Sequence, residues 1–126
     1  MRSCLILAIL LSGHAFGHGL EPSKVIAREN VDGFIRIRLD AWNRYDKPQR
    51  FITEIWADKA HQVPVDYEAS VPGVFQLGSM QKRRIVFKFK HEWDQVWICT
   101  LTAAEPGEKA LNFSTRVCSK VMIWRD

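Results

Sequence analysis

Two cysteines in the second half of the chain, Cys99 and Cys118, are the residues whose chemistry the sequence predicts most directly. Each lies in a run rich in β-branched and aromatic residues, and a polar stretch containing Pro106-Gly107 separates the two runs. This pattern is typical of a β-hairpin. If the cysteines are directly opposed, the middle of the hairpin falls inside the polar stretch. We therefore predict a disulfide between the last two strands, with two reduced core thiols as the alternative.

The same register divides the hairpin side chains between two faces, because side chains alternate along a strand. One face would face the core, with Val96, Ile98 and Val121. The other combines large apolar groups with basic ones. Such a face is either covered by another part of the chain or exposed to contact a partner protein. The candidate contact residues on it are Trp97, Met122 and Trp124.

The first 17 residues predict a secretory signal peptide. Arg2 precedes an apolar run from Cys4 to Leu11, and small residues follow at Ala15 and Gly17. The apolar run is too short to cross a bilayer as a helix. We therefore expect a single mature domain spanning residues 18–126 in the periplasm or outside the cell, where disulfides persist.

The rest of the chain consists of short apolar segments separated by turn residues. Phe34 to Trp42 alternates cleanly, with Ile35, Ile37 and Leu39 on one face, and Lys82 to Lys90 repeats the pattern. There is no helical periodicity of useful length. About seven such strands predict an all-β, immunoglobulin-like sandwich.

The sequence offers little that would support catalysis or a cofactor. It contains no GxSxG motif and no paired carboxylates at an informative spacing, so we predict a non-catalytic protein with no cofactor. One alternative is a small secreted copper-binding protein. Cleavage after Gly17 would make His18 the amino terminus, a good Cu(II) chelate, and His61 or His91 could complete the site. No HxH or CxxC spacing supports that alternative.

Basic residues in two of the predicted strands suggest another alternative. The chain carries a formal net charge of +4, which favours acidic partners and gives no reason to expect nucleic acid. A basic cluster is either the wet face of two strands or a patch for phosphate or lipid headgroups, and its members are Lys82-Arg83-Arg84, Lys88, Lys90, Arg36 and Arg38. In the second case the chain could be a structural subunit of an envelope or secretion machine.

Short motifs along the chain carry a family resemblance. Ser23-Lys24-Val25-Ile26, Val71-Pro72-Gly73-Val74-Phe75-Gln76-Leu77, Arg84-Ile85 and Lys120-Val121-Met122-Ile123-Trp124-Arg125 occur in this order. Together they resemble the N-terminal domain of periplasmic pilus-assembly chaperones of the chaperone–usher type. The resemblance covers most of the mature chain, and it implies a chaperone-like protein that binds a pilus or secretion-apparatus subunit.

The resemblance also implies roles for particular residues. In that family a basic pair holds the terminal carboxylate of a pilus subunit, and the last strand donates alternating apolar residues to it by β-strand addition. The matching residues are Lys24 and Lys120 for the carboxylate, and Leu111, Phe113 and Val117 for the donated side chains. The family has a second domain after this strand. We therefore expect a single-domain relative whose second half comes from a partner, or one with a different client.

Overall fold

The computed structural model describes residues 17–103 and 115–124. The predicted signal peptide up to residue 16, the predicted turn at Pro106-Gly107, and the residues Leu111 and Phe113 lie outside these ranges. The described residues form nine strands: β1 His18–Glu21, β2 Lys24–Arg28, β3 Phe34–Asn43, β4 Gln49–Trp56, β5 Glu68–Ala69, β6 Val74–Leu77, β7 Lys82–Lys90, β8 Gln95–Ala103 and β9 Arg116–Trp124.

The strands form two sheets that make a β-sandwich. The four-stranded sheet has the order β1-β3-β7-β5, and the five-stranded sheet has the order β2-β9-β8-β4-β6. Every pairing between named strands is antiparallel except that of β2 with β9, which is parallel. The all-β, immunoglobulin-like prediction is confirmed. No helix in the described ranges is long and apolar enough to span a membrane.

The core lies between the sheets, and the alternation in the sequence accounts for it. Buried side chains from β3 and β7 face buried side chains from β4, β8 and β9, as the period of two requires. Fully burying a valine, leucine, isoleucine or phenylalanine side chain contributes about 1.5–3 kcal/mol to the free energy of unfolding. The largest of these buried apolar side chains are Phe51, Phe87, Phe89, Ile35, Leu39, Ile55, Ile85, Ile98, Val96 and Val121.

The amino-terminal segment is divided between the two sheets. β1 pairs with β3 through Leu20 and Ala41, and after Pro22 the chain crosses to the five-stranded sheet, where β2 lies beside β9. The sequence did not reveal β1 because HGLE is short and lacks alternation, and the two-residue β5 is shorter still. The crossing places Lys24 next to the last strand.

Candidate functional site

The hairpin of β8 and β9 has the predicted register. Cys99 pairs directly with Cys118, and the two form a disulfide. Thr100 pairs with Val117 and Trp97 with Lys120. The disulfide prediction and the division of the hairpin between two faces are therefore confirmed.

One side of the five-stranded sheet points away from the core, and we call it the outer face. Because β2 pairs in parallel with β9, Ile26 lies beside Met122 on this face, and Arg28 lies beside Trp124. Ile26, Met122 and Trp124 are 68%, 49% and 58% exposed, and we call these three residues the apolar strip. Ile26 is an addition to the predicted contact residues. The sequence alone did not indicate on which face Ile26 lies, because its position depends on the pairing of β2 with β9, two strands that are far apart in the sequence.

Trp97 lies at the border of the exposed part of the outer face. Its ring is half-buried and sits between Trp56 of β4 and Lys120 of β9, with the Lys120 Nζ 6.0 Å from the ring centroid. The sequence left open whether the outer face is covered or exposed. The structure shows both, since the part near the disulfide is shielded whereas the apolar strip is open.

The shielding near the disulfide comes from the loop after β4. The Asp58 carboxylate accepts hydrogen bonds from the backbone amides of Val63 and Gln62, at 2.9 Å for the closer oxygen. Together these bonds lower the pKa of Asp58, with the Val63 bond contributing most. Within this turn His61 adopts a positive φ of 56°. Its Nε2 lies 3.7 Å from Cys118 Sγ and 3.9 Å from Cys99 Sγ.

Lys24 and Lys120 form a pair of like charges on the outer face. They are direct neighbours in the β2–β9 register, and the backbone amide of Lys120 donates to the Ser23 carbonyl at 2.9 Å. Neither lysine belongs to an ion pair among the described residues. Like charges on neighbouring strand positions destabilise a sheet, so an anion near the two ammonium groups would offset their repulsion.

The edge of β9 is open next to this lysine pair. β2 pairs with Lys120–Trp124 only, and within residues 17–103 and 115–124 no strand pairs with the same side of Arg116–Cys118. An unpaired strand edge presents backbone N–H and C=O groups to which another strand can add. Val117 is half-buried and packs against the core from this stretch. Leu111 and Phe113, the other predicted donated residues, are not among the described ones.

The three histidines considered for copper lie in separate surroundings. The His18 ring is buried in β1, and its Nε2–H donates to the Thr100 carbonyl at 3.0 Å. Burial lowers the pKa of His18, and the bond to Thr100 offsets this in part. His91 Nδ1 lies 3.2 Å from a Glu29 carboxylate oxygen, whereas His61 faces the disulfide.

Three basic residues of the four-stranded sheet, Arg36, Lys82 and Arg84, have acidic partners, whereas its other basic residues, Arg38, Arg83, Lys88 and Lys90, have no ion pair among the described residues. Arg36 donates to Asp32 at 2.7 Å, and this hydrogen bond is the main cause that lowers the pKa of Asp32 to about 2. Arg84 pairs with Asp40 at 3.3 Å. Nearby, the Trp42 ring contacts two more cations, with Arg44 Cζ and Lys82 Nζ 4.4 and 4.7 Å from the ring centroid. The acidic neighbours of Arg36, Lys82 and Arg84 weigh against a phosphate site at these three residues.

Comparison with known proteins supports the fold. No family model matches the sequence, and no curated protein is significantly similar to it. Among solved structures, the E. coli chaperone DraB matches with a TM-score of 0.66 and 20% identity, over 86% of this chain and 54% of DraB. The Salmonella enterica SafB chaperone, solved in complex with the SafA pilin, matches with a TM-score of 0.63 and 18% identity, over 91% of this chain and 57% of that one.

The fold also occurs outside pilus assembly. WR4, a C. elegans member of the MSP family, matches with a TM-score of 0.59 and 10% identity, over 86% of this chain and 99% of WR4. At these identities the likeness establishes the fold only. Function has to be argued from the residues of the site. The chain spans about half the length of the chaperones that it matches. The predicted resemblance is confirmed, since the described residues have the fold of a pilus-chaperone domain.

Proposed function

We propose that this protein is an exported, non-catalytic, chaperone-like domain that binds a pilin-type or other envelope subunit by β-strand addition along β9. The observation that carries the proposal is the Lys24–Lys120 pair, which has no acidic partner in the described residues and stands at the end of an open strand edge. We also propose that the protein is located outside the cytoplasm and that its mature chain begins near residue 18.

The geometry determines how a partner strand would lie. A strand added beside Arg116–Cys118 would occupy the same track as β2, upstream of Lys24. If it ran parallel to β9, as β2 does, its carboxyl end would meet β2 at the two lysines. The terminal carboxylate would then be held by both ammonium groups, while main-chain hydrogen bonds supplied affinity. Lysine would hold it without the bidentate geometry of arginine.

The apolar strip extends the contact surface beyond the lysine pair. Met122 and Trp124 follow Lys120 on the outer face of β9, and Ile26 lies beside Met122. Trp and Met are enriched at the centres of protein interfaces. We propose that the body of the bound subunit, or a further domain, covers these side chains. Val117, and outside the described residues Leu111 and Phe113, remain the proposed donated residues.

SafB, which shares the fold, was solved bound to a pilin, and this supports a subunit of that kind as the partner. The test is co-purification of the tagged chain from the periplasm of its host, followed by mass spectrometry. We compare the wild type, the double variant Lys24→Ala/Lys120→Ala, and Arg84→Ala on the four-stranded sheet as the control. One exported subunit should co-purify with the wild type and the control and fall at least about tenfold with the double variant. Equal recovery with all three would contradict the proposal.

A further inference from the structure

The disulfide and His61 together form a cluster of metal-ligating atoms. His61 Nε2, Cys99 Sγ and Cys118 Sγ all lie within 4.8 Å of one another. In the described parts of the chain this is the one group of three or more histidine, cysteine or acidic residues that is close enough to hold an ion. It is separate from the lysine pair. Cys118 also ends the open edge of β9, but the cluster uses its sulfur, whereas strand addition would use backbone groups.

The loop holds the imidazole against the two sulfurs by specific contacts. The His61 amide donates to the Asp58 carbonyl at 3.2 Å, and the Ala57 amide donates to the Val63 carbonyl at 2.9 Å. The Trp56 ring lies 5.8 Å from the His61 ring, centroid to centroid. Sulfur is a weak hydrogen-bond acceptor. The contact of His61 with the disulfide therefore contributes little stability that would offset the cost of this left-handed turn. Two thiolates in the same place would be strong metal ligands.

The distances fit a tetrahedral zinc site. With Zn–S and Zn–N bonds of about 2.3 and 2.0–2.1 Å, the nitrogen lies about 3.6 Å from each sulfur, and the sulfurs lie about 3.8 Å apart. The two nitrogen–sulfur distances here, 3.7 and 3.9 Å, are already close to that value. After reduction, rotation about the Cα–Cβ bonds of the two opposed cysteines can provide the sulfur–sulfur separation.

We propose that the reduced form of this protein binds Zn²⁺ through Cys99 Sγ, Cys118 Sγ and His61 Nε2. An external dithiol supplies two electrons and two protons, becomes a disulfide itself, and converts the Cys99–Cys118 disulfide to two thiols. Zinc then displaces both thiol protons, while the imidazole binds in its neutral form. Cys118 and His61 are partly exposed, so a water molecule can take the fourth position. The proposal does not depend on the proposed partner binding.

The test is a Co²⁺ titration of the purified protein after reduction with a phosphine under nitrogen. Tetrahedral cobalt with two thiolate ligands has visible and thiolate-to-metal absorption bands, and one equivalent should produce them in the reduced wild type. Zn²⁺ should abolish them, and the oxidised protein should give none. His61→Ala should weaken cobalt binding at least about tenfold, whereas Gln62→Ala, a change of the exposed neighbour, should leave it unchanged.

Thermal unfolding provides a second readout in case reduction loosens the domain. Zn²⁺ should raise the unfolding midpoint of the reduced wild type and of Gln62→Ala, and it should raise that of His61→Ala by much less. Absence of the cobalt bands in the reduced wild type would overturn the proposal. So would equal cobalt affinity and equal thermal stabilisation in His61→Ala, because the imidazole would then not be a ligand.

Discussion

The exposed surfaces of the two sheets differ in the partners of their basic side chains. On the four-stranded sheet, Arg36 and Arg84 each contact a carboxylate, and Arg44 and Lys82 share Glu21. On the five-stranded sheet, Lys24 and Lys120 lie side by side with no acidic partner in the described residues. Both surfaces also contain the other kind of cation, since Arg38, Arg83 and Lys90 on the first have no ion pair in the described ranges and Arg116 on the second pairs with Glu54. The second surface differs in placing two such lysines side by side next to exposed apolar side chains.

This difference distinguishes the two surfaces more clearly than their composition does. Both surfaces carry basic and aromatic residues, and from the sequence both were candidates for a partner. Trp42 and Trp124 illustrate the contrast. The Trp42 ring is in contact with two cations of its own chain, whereas Trp124 is 58% exposed. We therefore propose that the partner binds the five-stranded sheet, and the predictions below test the binding and the stability of the two surfaces.

The largest effect should follow from removing the disulfide that joins β8 and β9. The double variant Cys99→Ala/Cys118→Ala should lose about 3 kcal/mol of unfolding free energy, because the unfolded chain is no longer constrained by the cross-link. Urea denaturation monitored by tryptophan fluorescence measures the change. Reduced wild type in metal-free buffer is the matched comparison and should resemble the variant. An unchanged denaturation midpoint would contradict the prediction, because the cross-link would then contribute nothing to stability.

Truncation of the apolar strip should reduce partner binding next most strongly. Trp124→Ala should weaken binding of the co-purified subunit by about 30-fold, the equivalent of about 2 kcal/mol for a central interface tryptophan. Because the side chain is largely exposed, the unfolding midpoint should change little. Isothermal titration calorimetry measures the affinity, with Arg36→Ala on the other sheet as the control. Equal losses in the two variants would remove the distinction between the surfaces.

Reversing one charge of the lysine pair should affect stability and binding in opposite directions. Lys24→Glu replaces a like-charge pair with an opposite-charge pair, so the free domain should gain up to about 1 kcal/mol of unfolding free energy. The same change should abolish carboxylate binding. Denaturation and calorimetry on one preparation test both statements. A loss of stability in Lys24→Glu would show that the two ammonium groups do not repel each other in the free protein.

The smallest effect concerns the ion pair of Asp32 with Arg36 on the four-stranded sheet. The pKa of Asp32 is lowered to about 2, mainly by the hydrogen bond from Arg36, so the folded form holds this proton less tightly than the unfolded form. The stabilisation is therefore present above the ordinary aspartate value and is lost as the pH falls towards 2. NMR titration of the carboxyl carbon should show a pKa that rises towards the ordinary value in Arg36→Gln. An unchanged pKa would mean that the pairing is absent in solution.

The sequence predicted the features that depend on neighbouring strands. Alternation identified the buried faces of β3 and β7, and the turn signal set the register that opposes Cys99 with Cys118. These could be predicted because the period of two and the length of a hairpin are local properties. The adjacency of Lys24 and Lys120 could be predicted only from the family resemblance, because each lysine lies in one of the motifs that carry it.

What the sequence did not predict depends on contacts between distant segments. Ile26 joins the apolar strip through the parallel pairing of β2 with β9, which links the two ends of the described chain. His61 reaches the disulfide because a left-handed turn directs its ring there, and no motif marks such a turn. The short strands β1 and β5 have too few residues to show a period.

The most direct test of the central claim is NMR mapping of a bound strand. The probe is a ten-residue peptide with alternating valine and serine residues and a free terminal carboxylate, and its carboxyl-terminal amide is the matched control. We predict that the carboxylate peptide shifts the backbone amide signals of Arg116–Cys118, Lys24 and Lys120, and that the amidated peptide binds at least about tenfold more weakly. Shifts confined to the four-stranded sheet, or equal binding of both peptides, would contradict the account.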